Sequence, residues 1–341
     1  MKNRPLKLRG IFCIGAVFVL ASFLLITGDL CAQQKPIVIK FAWHLPMTNY
    51  ASVGSQDLAK SIEEASKGRV KVETYPAGQL YKGNELFMAV RSGGVEMAMF
   101  ALGTLATIDP VADIVYLPFV VQDKEHMFKV LHGRVGKRIE SGAEKSGSKI
   151  LGYFAGSGGQ YGTRSKAIRK PDDFKGLKIR VPGTLAAETV QALGGAPTTL
   201  AAPEVYLALQ RGTVDGTNFP LSSFYDRKLF EVLKYLTVAN VSFDPDAVLV
   251  NLKFWESLPA DVQESIRKCT GQAEKWVYDE ETKVSANYKK MLAEKGMEVI
   301  EIPKGERANW GSAIKPVLDK FVSRVGGEGK ELIDYISKEA H

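Results

Sequence analysis

Arg180 is the residue of this sequence whose position most clearly indicates ligand chemistry. It lies near the end of the stretch F-K-G-L-K-I-R-V-P, which runs from Phe174 to Pro182 and reads as a buried strand. An arginine is rarely buried unless it is paired. Its planar guanidinium can hold a carboxylate through two parallel hydrogen bonds. The pattern therefore indicates either a carboxylate-binding group facing a cleft or one half of a structural salt bridge.

Residue patterns for catalysis or metal binding are missing from the sequence. The four histidines, at positions 44, 126, 132 and 341, lack the spacing of metal ligands, and no G-x-S-x-G segment is present. The Gly-rich residues 156–159 lack the phosphate-loop and dinucleotide patterns, so they read as a flexible loop or a crossing between lobes. No acidic pair stands out as a dyad. We therefore expect no cofactor and no metal, and we favour a binding protein over a secreted enzyme.

The first 32 residues have the layout of a secretory signal peptide. A basic start is followed by the apolar run 11–26 and then by the small residue Ala32 before a polar stretch. This predicts export to the periplasm. An uncleaved N-terminal anchor and lipoprotein processing at Cys31 are the alternatives. No later stretch is long and apolar enough to predict a membrane span.

The chain without this segment is too long for one compact core. Removing residues 1–32 leaves 309 residues and lowers the formal net charge from +7 to +4. Two domains are then the default. A modest positive charge suits a small anionic ligand, and no basic stripe with interleaved aromatics indicates nucleic acid. Cys269 is the one cysteine left, so we expect it to be a buried small side chain.

Strand-like and helix-like segments alternate along the chain, which predicts an α/β protein built from βα units. The segment from Pro259 to about Lys295 differs, because it carries one apolar stripe and only Gly271 as a helix breaker. Such a helix would be about 50 Å long. We expect it to lie across two lobes, with a kink near Gly271 as the alternative. The predicted strands are 37–43, 70–75, 95–100, 150–154, 177–181, 235–241 and 247–252.

Four segments in order resemble the periplasmic receptors of tripartite ATP-independent periplasmic (TRAP) transporters, the DctP family. The resemblance runs over nearly the whole of the chain after residue 32. The segments are G-R-V-K-V at 68–72 with Y-P-A-G-Q-L at 75–80, the Phe174–Pro182 stretch, E-V-Y-L-A-L-Q at 204–210 with V-D-G at 214–216 and Pro220, and Asn251 through Phe254-Trp255 to Leu258-Pro259.

The resemblance implies a two-lobed periplasmic-binding-protein-like fold with a hinge and a ligand between the lobes. It implies docking to membrane permease subunits, and it matches Arg180 to the family's carboxylate-binding arginine. We divide the chain into lobe I, residues 33–157 plus 246–285, and lobe II, residues 158–245 plus 286–341. A sensory receptor of the same fold, feeding a signalling partner, is the alternative function.

Several positions depart from the family's common pattern. Gln160 stands where a second arginine is frequent, and Phe219 where an asparagine often reaches the ligand. Val241 and Ala202 replace a frequent histidine and a bulky aromatic. A second polar end of the ligand would then lack hydrogen-bond partners, and burying such a group without partners costs free energy.

These departures favour a monocarboxylate with an apolar or aromatic body. In this interpretation Arg180 clamps the carboxylate, and Phe219 lines the body together with Trp43 or Phe100. Gln160 and His44 supply hydrogen bonds. A C4-dicarboxylate or a sugar acid is the alternative ligand.

Overall fold

The structure is a computed structural model of the chain, and it describes residues 35–339. The predicted signal peptide, residues 1–32, and both alternatives for its processing lie outside the described residues. Within residues 35–339, no helix has both the length and the apolar character that crossing a bilayer requires.

The described residues form eleven strands and twelve α-helices in the alternating order predicted for an α/β protein. The strands are β1 Ile37–Trp43, β2 Val70–Tyr75, β3 Met97–Ala101, β4 Ser148–Phe154, β5 Gly159–Thr163, β6 Lys178–Val181, β7 Ala196–Thr199, β8 Gly216–Pro220, β9 Tyr235–Val238, β10 Asp246–Asn251 and β11 Glu298–Glu301. The helices are α1 Tyr50–Ala65, α2 Gly83–Ser92, α3 Lys124–His132, α4 Arg134–Lys145, α5 Thr184–Ala192, α6 Val205–Arg211, α7 Leu221–Asp226, α8 Leu252–Ser257, α9 Ala260–Glu294, α10 Arg307–Ala313, α11 Lys315–Val325 and α12 Gly327–Glu339.

The strands form two separate sheets, and each sheet is the centre of one lobe. The first sheet has the order β2-β1-β3-β10-β4, and the second has the order β11-β9-β5-β8-β6-β7. In the first, β1, β2 and β3 run parallel and β10 runs antiparallel to both of its neighbours. In the second, β5 runs antiparallel to β8 and β9. We call the halves built on these sheets lobe I and lobe II.

Each sheet is covered by helices on both faces, which explains why central strands such as β3 and β10 are almost wholly apolar. In lobe I, alternate residues of β1 enter different cores. Phe41 and Trp43 pack with Ile62 of α1, whereas Ala42 packs with Phe87 of α2. In lobe II, Ile179 and Val181 pack against Trp310 of α10 on one face. Phe219 and Leu236 pack against Leu292 of α9 on the other.

Two extended segments, residues 155–158 and 239–245, cross between the lobes side by side. Gly158 pairs with Phe243 in an antiparallel bridge. A Cβ atom on Gly156 would lie 1.6 Å from the carbonyl oxygen of Asp244, and one on Gly158 would lie 2.5 Å from Asn240 Oδ1. The two segments approach so closely that both positions require glycine. The Gly-rich stretch is therefore a crossing between lobes, one of the two interpretations open from the sequence.

The side chain of Gln160 holds the two crossing segments, residues 155–158 and 239–245, together. Its Nε2 donates to the carbonyl of Gly158 at 2.7 Å and to Asn240 Oδ1 at 2.6 Å. Its Oε1 accepts from the backbone N–H groups of Ala239 at 2.7 Å and Asn240 at 3.0 Å. A glutamine amide has two donor hydrogens and two acceptor lone pairs. All four are used here, and they hold Gly158, Ala239 and Asn240, which belong to the two crossing segments. We call these two segments the hinge.

The predicted long helix is present as α9, whose 35 residues make it about 50 Å long. Its first half packs on lobe I through Val262 and Val277, and its last turns pack on lobe II through Leu292. Cys269 is buried on this helix as expected. The helix is a third connection between the lobes and spans both, as the sequence predicted.

The C-terminal helix returns to lobe I. Leu332 and Ile336 of α12 are buried in the same core as Leu131, and His126 Nε2 lies 3.2 Å from the carbonyl oxygen of Ile336. This packing differs from the sequence-based division, which assigned residues 286–341 to lobe II. We propose to amend that division so that residues 327–339 belong to lobe I.

The crossing makes a direct prediction about two glycine substitutions. Gly156→Ala should destabilise the protein by about 1–3 kcal/mol or more, because the new methyl group would collide with backbone that cannot move freely. Gly271→Ala, on an open face of α9 with no atom within 4 Å of the new Cβ, should stabilise it by about 0.5–1 kcal/mol. Urea unfolding of both variants measures the difference. Equal stability of the two would show that the crossing is not tightly packed.

Candidate functional site

Strands of both sheets end at the two edges that the crossing segments join, and we call the space between these edges the cleft. In lobe I, β1 and β3 end at Trp43 and Ala101, beside the end of β4 where the first crossing leaves. In lobe II, β6 and β8 end at Val181 and Pro220, beside Gly159 where that crossing arrives. Ligands of open α/β sheets bind outside the carboxyl ends of strands. Side chains near these two edges are therefore the candidates for a binding site.

Arg180 is buried near the end of β6, with only 3% of its surface exposed. Its Nε donates to the carbonyl of Leu200 at 2.9 Å, and its Nη1 donates to the carbonyl of Asn218 at 3.2 Å. A guanidinium carries five N–H groups, so three remain without an acceptor among residues 35–339. Within residues 35–339, Arg180 forms no ion pair with a carboxylate. The structural salt bridge, the alternative left open from the sequence, is absent from the described residues.

The Arg180 guanidinium lies over the ring of Phe219, with Cζ 4.3 Å from the ring centroid. The exposed Arg227 approaches the same ring, with Cζ at 5.5 Å. An aromatic face attracts such cations and holds them in a fixed orientation. Burial, and then the Arg227 charge, lower the pKa of Arg180 to about 10. Arg180 therefore remains protonated at neutral pH, and no described carboxylate forms an ion pair with it.

Gln160, predicted to supply a hydrogen bond to the ligand, is fully engaged within the protein in this structure. It is 0% exposed, and its amide is saturated by the four hydrogen bonds to the hinge. No donor or acceptor of its side chain is left for a ligand. Phe219 lies directly opposite Gln160 in the β5–β8 ladder and is 8% exposed. The Arg180 guanidinium covers one face of the Phe219 ring, so that face is not available to a ligand.

Trp43 and Phe100, the expected walls for an apolar ligand body, are both 0% exposed. They belong to cores on opposite faces of the first sheet, because Trp43 is aligned with Met99, the neighbour of Phe100 on β3. Successive side chains of a strand point to opposite faces. The two rings are therefore core residues, and the structure does not bring them together with Arg180. Val241 is likewise buried, in the lobe II core.

His44 lies at the lobe I edge of the cleft, immediately after β1. Its Nε2 lies 3.9 Å from Oδ1 of Asp246, and its Nδ1 is buried without a hydrogen-bond partner among the described residues. Asp246, the first residue of β10, is 8% exposed. Burial raises the pKa of Asp246 to about 7; His44 opposes this shift and Asp244 adds to it.

Sequence reasoning missed Arg227, Asp244 and Asp246. Arg227 follows a short helix in a polar stretch that has no periodicity. The two aspartates occur in the segment S-F-D-P-D between two strands, although no acidic pair was expected to stand out. Two acidic residues placed around a proline at a strand start were the available signal. The two aspartates can be recognised as candidate site residues only once the fold is known, because the fold brings them to the cleft edge.

Comparison with known proteins places this geometry in a family. The sequence profile described as DctP, bacterial extracellular solute-binding protein, family 7, matches residues 45–324. A C4-dicarboxylate-binding periplasmic protein DctP of Rhodobacter capsulatus is 35% identical over 304 residues, which cover 87% of this chain and 90% of that protein.

Solved structures are similar over the same extent. A TRAP periplasmic solute-binding protein of Ochrobactrum anthropi, with its C-terminus bound in the ligand-binding pocket, superimposes with a TM-score of 0.85 at 27% identity, covering 89% of this chain and 96% of that one. One from Sulfurospirillum deleyianum with bound succinate has a TM-score of 0.78 at 27% identity, covering 88% and 98%. These matches span both lobes. The chain therefore belongs to the DctP family of bacterial extracellular solute-binding proteins, the periplasmic receptors of TRAP transporters.

Proposed function

We propose that this protein is an extracytoplasmic receptor that binds a small organic monocarboxylate between its lobes and delivers it to the permease subunits of a TRAP transporter. The observation that carries the proposal is the buried Arg180, whose guanidinium has three N–H groups free and no carboxylate partner among the described residues. A buried charge without a partner is costly. A bound carboxylate would supply the missing charge and accept the free N–H groups.

The location proposed for the protein rests on its sequence and its relatives. Residues 1–32 have the pattern of a signal peptide, and members of the family are periplasmic solute-binding proteins. Export would bring the receptor to the outer face of the cytoplasmic membrane, where the permease subunits lie. The two lobes joined by crossing segments suit a protein that closes on its ligand. No catalytic step is part of this proposal.

The charge distribution supports a monocarboxylate. Arg180 and Arg227 lie on the lobe II side, whereas Asp244 and Asp246 lie on the lobe I side of the crossing. A ligand with one carboxylate can meet the two arginines and keep its other end near the aspartates without a second negative charge. The R. capsulatus relative is named for C4-dicarboxylates and the S. deleyianum structure holds succinate, so a dicarboxylate is the competing ligand.

Fewer aromatic side chains lie near Arg180 to contact an apolar ligand body than the sequence suggested. Phe219 is the one aromatic residue of the three expected ones that lies at the arginine corner. Trp43 and Phe100 are enclosed in the lobe I cores. We therefore propose that the apolar contact of the ligand is limited to the side of Phe219, and that its size is small.

Replacing Arg180 tests the proposal directly. A lysine keeps the charge but loses one of the two parallel hydrogen bonds, which is worth about 1.5–3 kcal/mol for a charged pair. Arg180→Lys should therefore weaken carboxylate binding about 10- to 100-fold. The measurement is calorimetry or thermal shift of residues 33–341 against a panel of mono- and dicarboxylates, in which a ligand at 100 times Kd should add about 2.7 kcal/mol of stability.

Arg134→Lys is the matched control, since Arg134 is exposed on α4 and pairs with Glu331 on α12. It should bind as the unmodified protein does. Unchanged affinity in Arg180→Lys would remove the basis of the proposed function. So would a panel in which no carboxylate raises the melting temperature.

Arg227 should contribute through its charge alone, because it is exposed. Arg227→Gln should lower carboxylate affinity about two- to fivefold, the size expected for an exposed charge. It should also flatten the dependence of affinity on salt concentration, because exposed charges are screened. Lys234→Gln removes the same charge at the start of β9, away from the cleft edge, and should change neither quantity. Equal effects of the two substitutions would mean that Arg227 acts through the net charge of the whole protein and not through its position at the cleft.

A further inference from the structure

The lobe I side of the cleft contains a carboxylate to which no described residue donates a hydrogen bond. Asp246 is 8% exposed, and its side chain accepts no hydrogen bond from any described residue. The imidazole Nε2 of His44 lies 3.9 Å from Oδ1 of Asp246, which exceeds hydrogen-bond length. The carboxylate oxygens are not fully enclosed by protein, so a bound molecule can reach them and donate to them.

The groups around Asp246 direct their hydrogen-bond donors elsewhere. The hydroxyl of Tyr50 donates to the carbonyl of Ala155 at 3.1 Å, and the hydroxyl of Tyr116 donates to the carbonyl of Pro245 at 3.2 Å. Nδ1 of His44 is also buried without a partner among the described residues. Asp244, two residues away, adds a second carboxylate. The Tyr116 hydroxyl also lies within hydrogen-bonding reach of Asp244, which is exposed. Asp246 is therefore the carboxylate of this edge to which no described residue donates a hydrogen bond.

The hinge connects this acidic edge to the arginine corner over a short distance. The Arg180 guanidinium lies over the ring of Phe219, and Phe219 is paired with Gln160 in the ladder of β5 and β8. Two residues before Gln160, Gly158 pairs with Phe243, and Asp244 follows directly. With strands about 4.8 Å apart and a rise of about 3.3 Å per residue, the backbones at Phe219 and Asp244 are on the order of 10–15 Å apart. Side chains and one small molecule can fill that distance.

We propose that Asp246, with Asp244 beside it, determines the specificity of the cleft and selects monocarboxylates that carry a protonated amine at their far end. This rests on the receptor function proposed above. The carboxylate of such a zwitterion meets Arg180, and its ammonium supplies the donors that Asp246 lacks. His44 helps to orient the bound amine from the end of β1.

The same arrangement disfavours a second carboxylate on the ligand. Two carboxylates that share a site repel each other, and one of them must take up a proton. An ammonium group has three donors and the opposite charge. A dicarboxylate therefore meets repulsion at the position where an amino acid of equal length finds a partner.

A ligand series of constant length tests the proposal. Butyrate, 4-hydroxybutyrate, 4-aminobutyrate and succinate share the same chain and differ in the far group. Pentanoate, 5-hydroxypentanoate, 5-aminopentanoate and glutarate repeat the comparison one carbon longer. By calorimetry at pH 8, we expect the amine to bind at least tenfold more tightly than the diacid in at least one series. Tighter binding of the diacid in both series, or no binding by any member, overturns the proposal.

The Asp246→Asn variant separates this proposal from the receptor function. The asparagine side chain keeps the shape of the aspartate and loses its charge, and no hydrogen bond between described residues is lost. We expect the amine to lose at least tenfold in affinity while the diacid gains. Asp261→Asn, at the exposed start of α9 where Asp261 pairs with Arg69, is the matched control. If carboxylates bind and depend on Arg180 but Asp246→Asn leaves the preference unchanged, the receptor function stands and this proposal fails.

The pH dependence gives a second readout with opposite signs for the two ligands. Because the pKa of Asp246 is raised to about 7, the amine should bind more tightly as pH rises from 5.5 to 8.5, and the diacid more weakly. His44, Asp244, Tyr50 and Tyr116 face the same carboxylate, so a His44→Gln background isolates the contribution of Asp246. Asp246→Asn should remove both trends. Parallel trends for amine and diacid contradict the proposal.

Discussion

The rest of the site depends on one interaction, the placement of the Arg180 guanidinium on the ring of Phe219 without a described carboxylate beside it. Burial alone would make such a charge costly. The ring and the carbonyl groups of Leu200 and Asn218 hold the guanidinium in place but do not neutralise it. The fold thus retains a fixed, dehydrated cation at the cleft, which gives an anionic ligand a large favourable contribution on binding.

A continuous set of hydrogen bonds joins that cation to the hinge. Arg180 donates to the carbonyl of Asn218, Asn218 Nδ2 donates to the carbonyl of Gln160 at 3.2 Å, and the Gln160 amide holds Asn240. The side chain at position 160 therefore bonds the crossing segments in this structure. Through these bonds Gln160 fastens the hinge segment 239–240.

Much of the architecture follows from the sequence because apolar runs and helix stripes are local signals. The strands at 37–43 and 70–75 and the helix from 260 to 294 were predicted almost to the residue. Strands β5 and β8 were not, because Gly159, Gly162 and Gly216 weaken the strand pattern where backbones approach closely. The site was harder to predict. The pairing of Gln160 with Asn240, and the meeting of Asp246 with His44, depend on contacts between residues 80 and 202 positions apart. Periodicity and motifs carry no information about such contacts.

The most direct measurement is a crystal structure of residues 33–341 with the tightest-binding carboxylate of the panel. The account predicts that both carboxylate oxygens lie about 2.7–2.9 Å from nitrogens of Arg180, above the edge of Phe219. It also predicts that the four hydrogen bonds of the Gln160 side chain remain within the protein. A carboxylate held away from Arg180, or bonded to Gln160 in its place, would contradict the central claim.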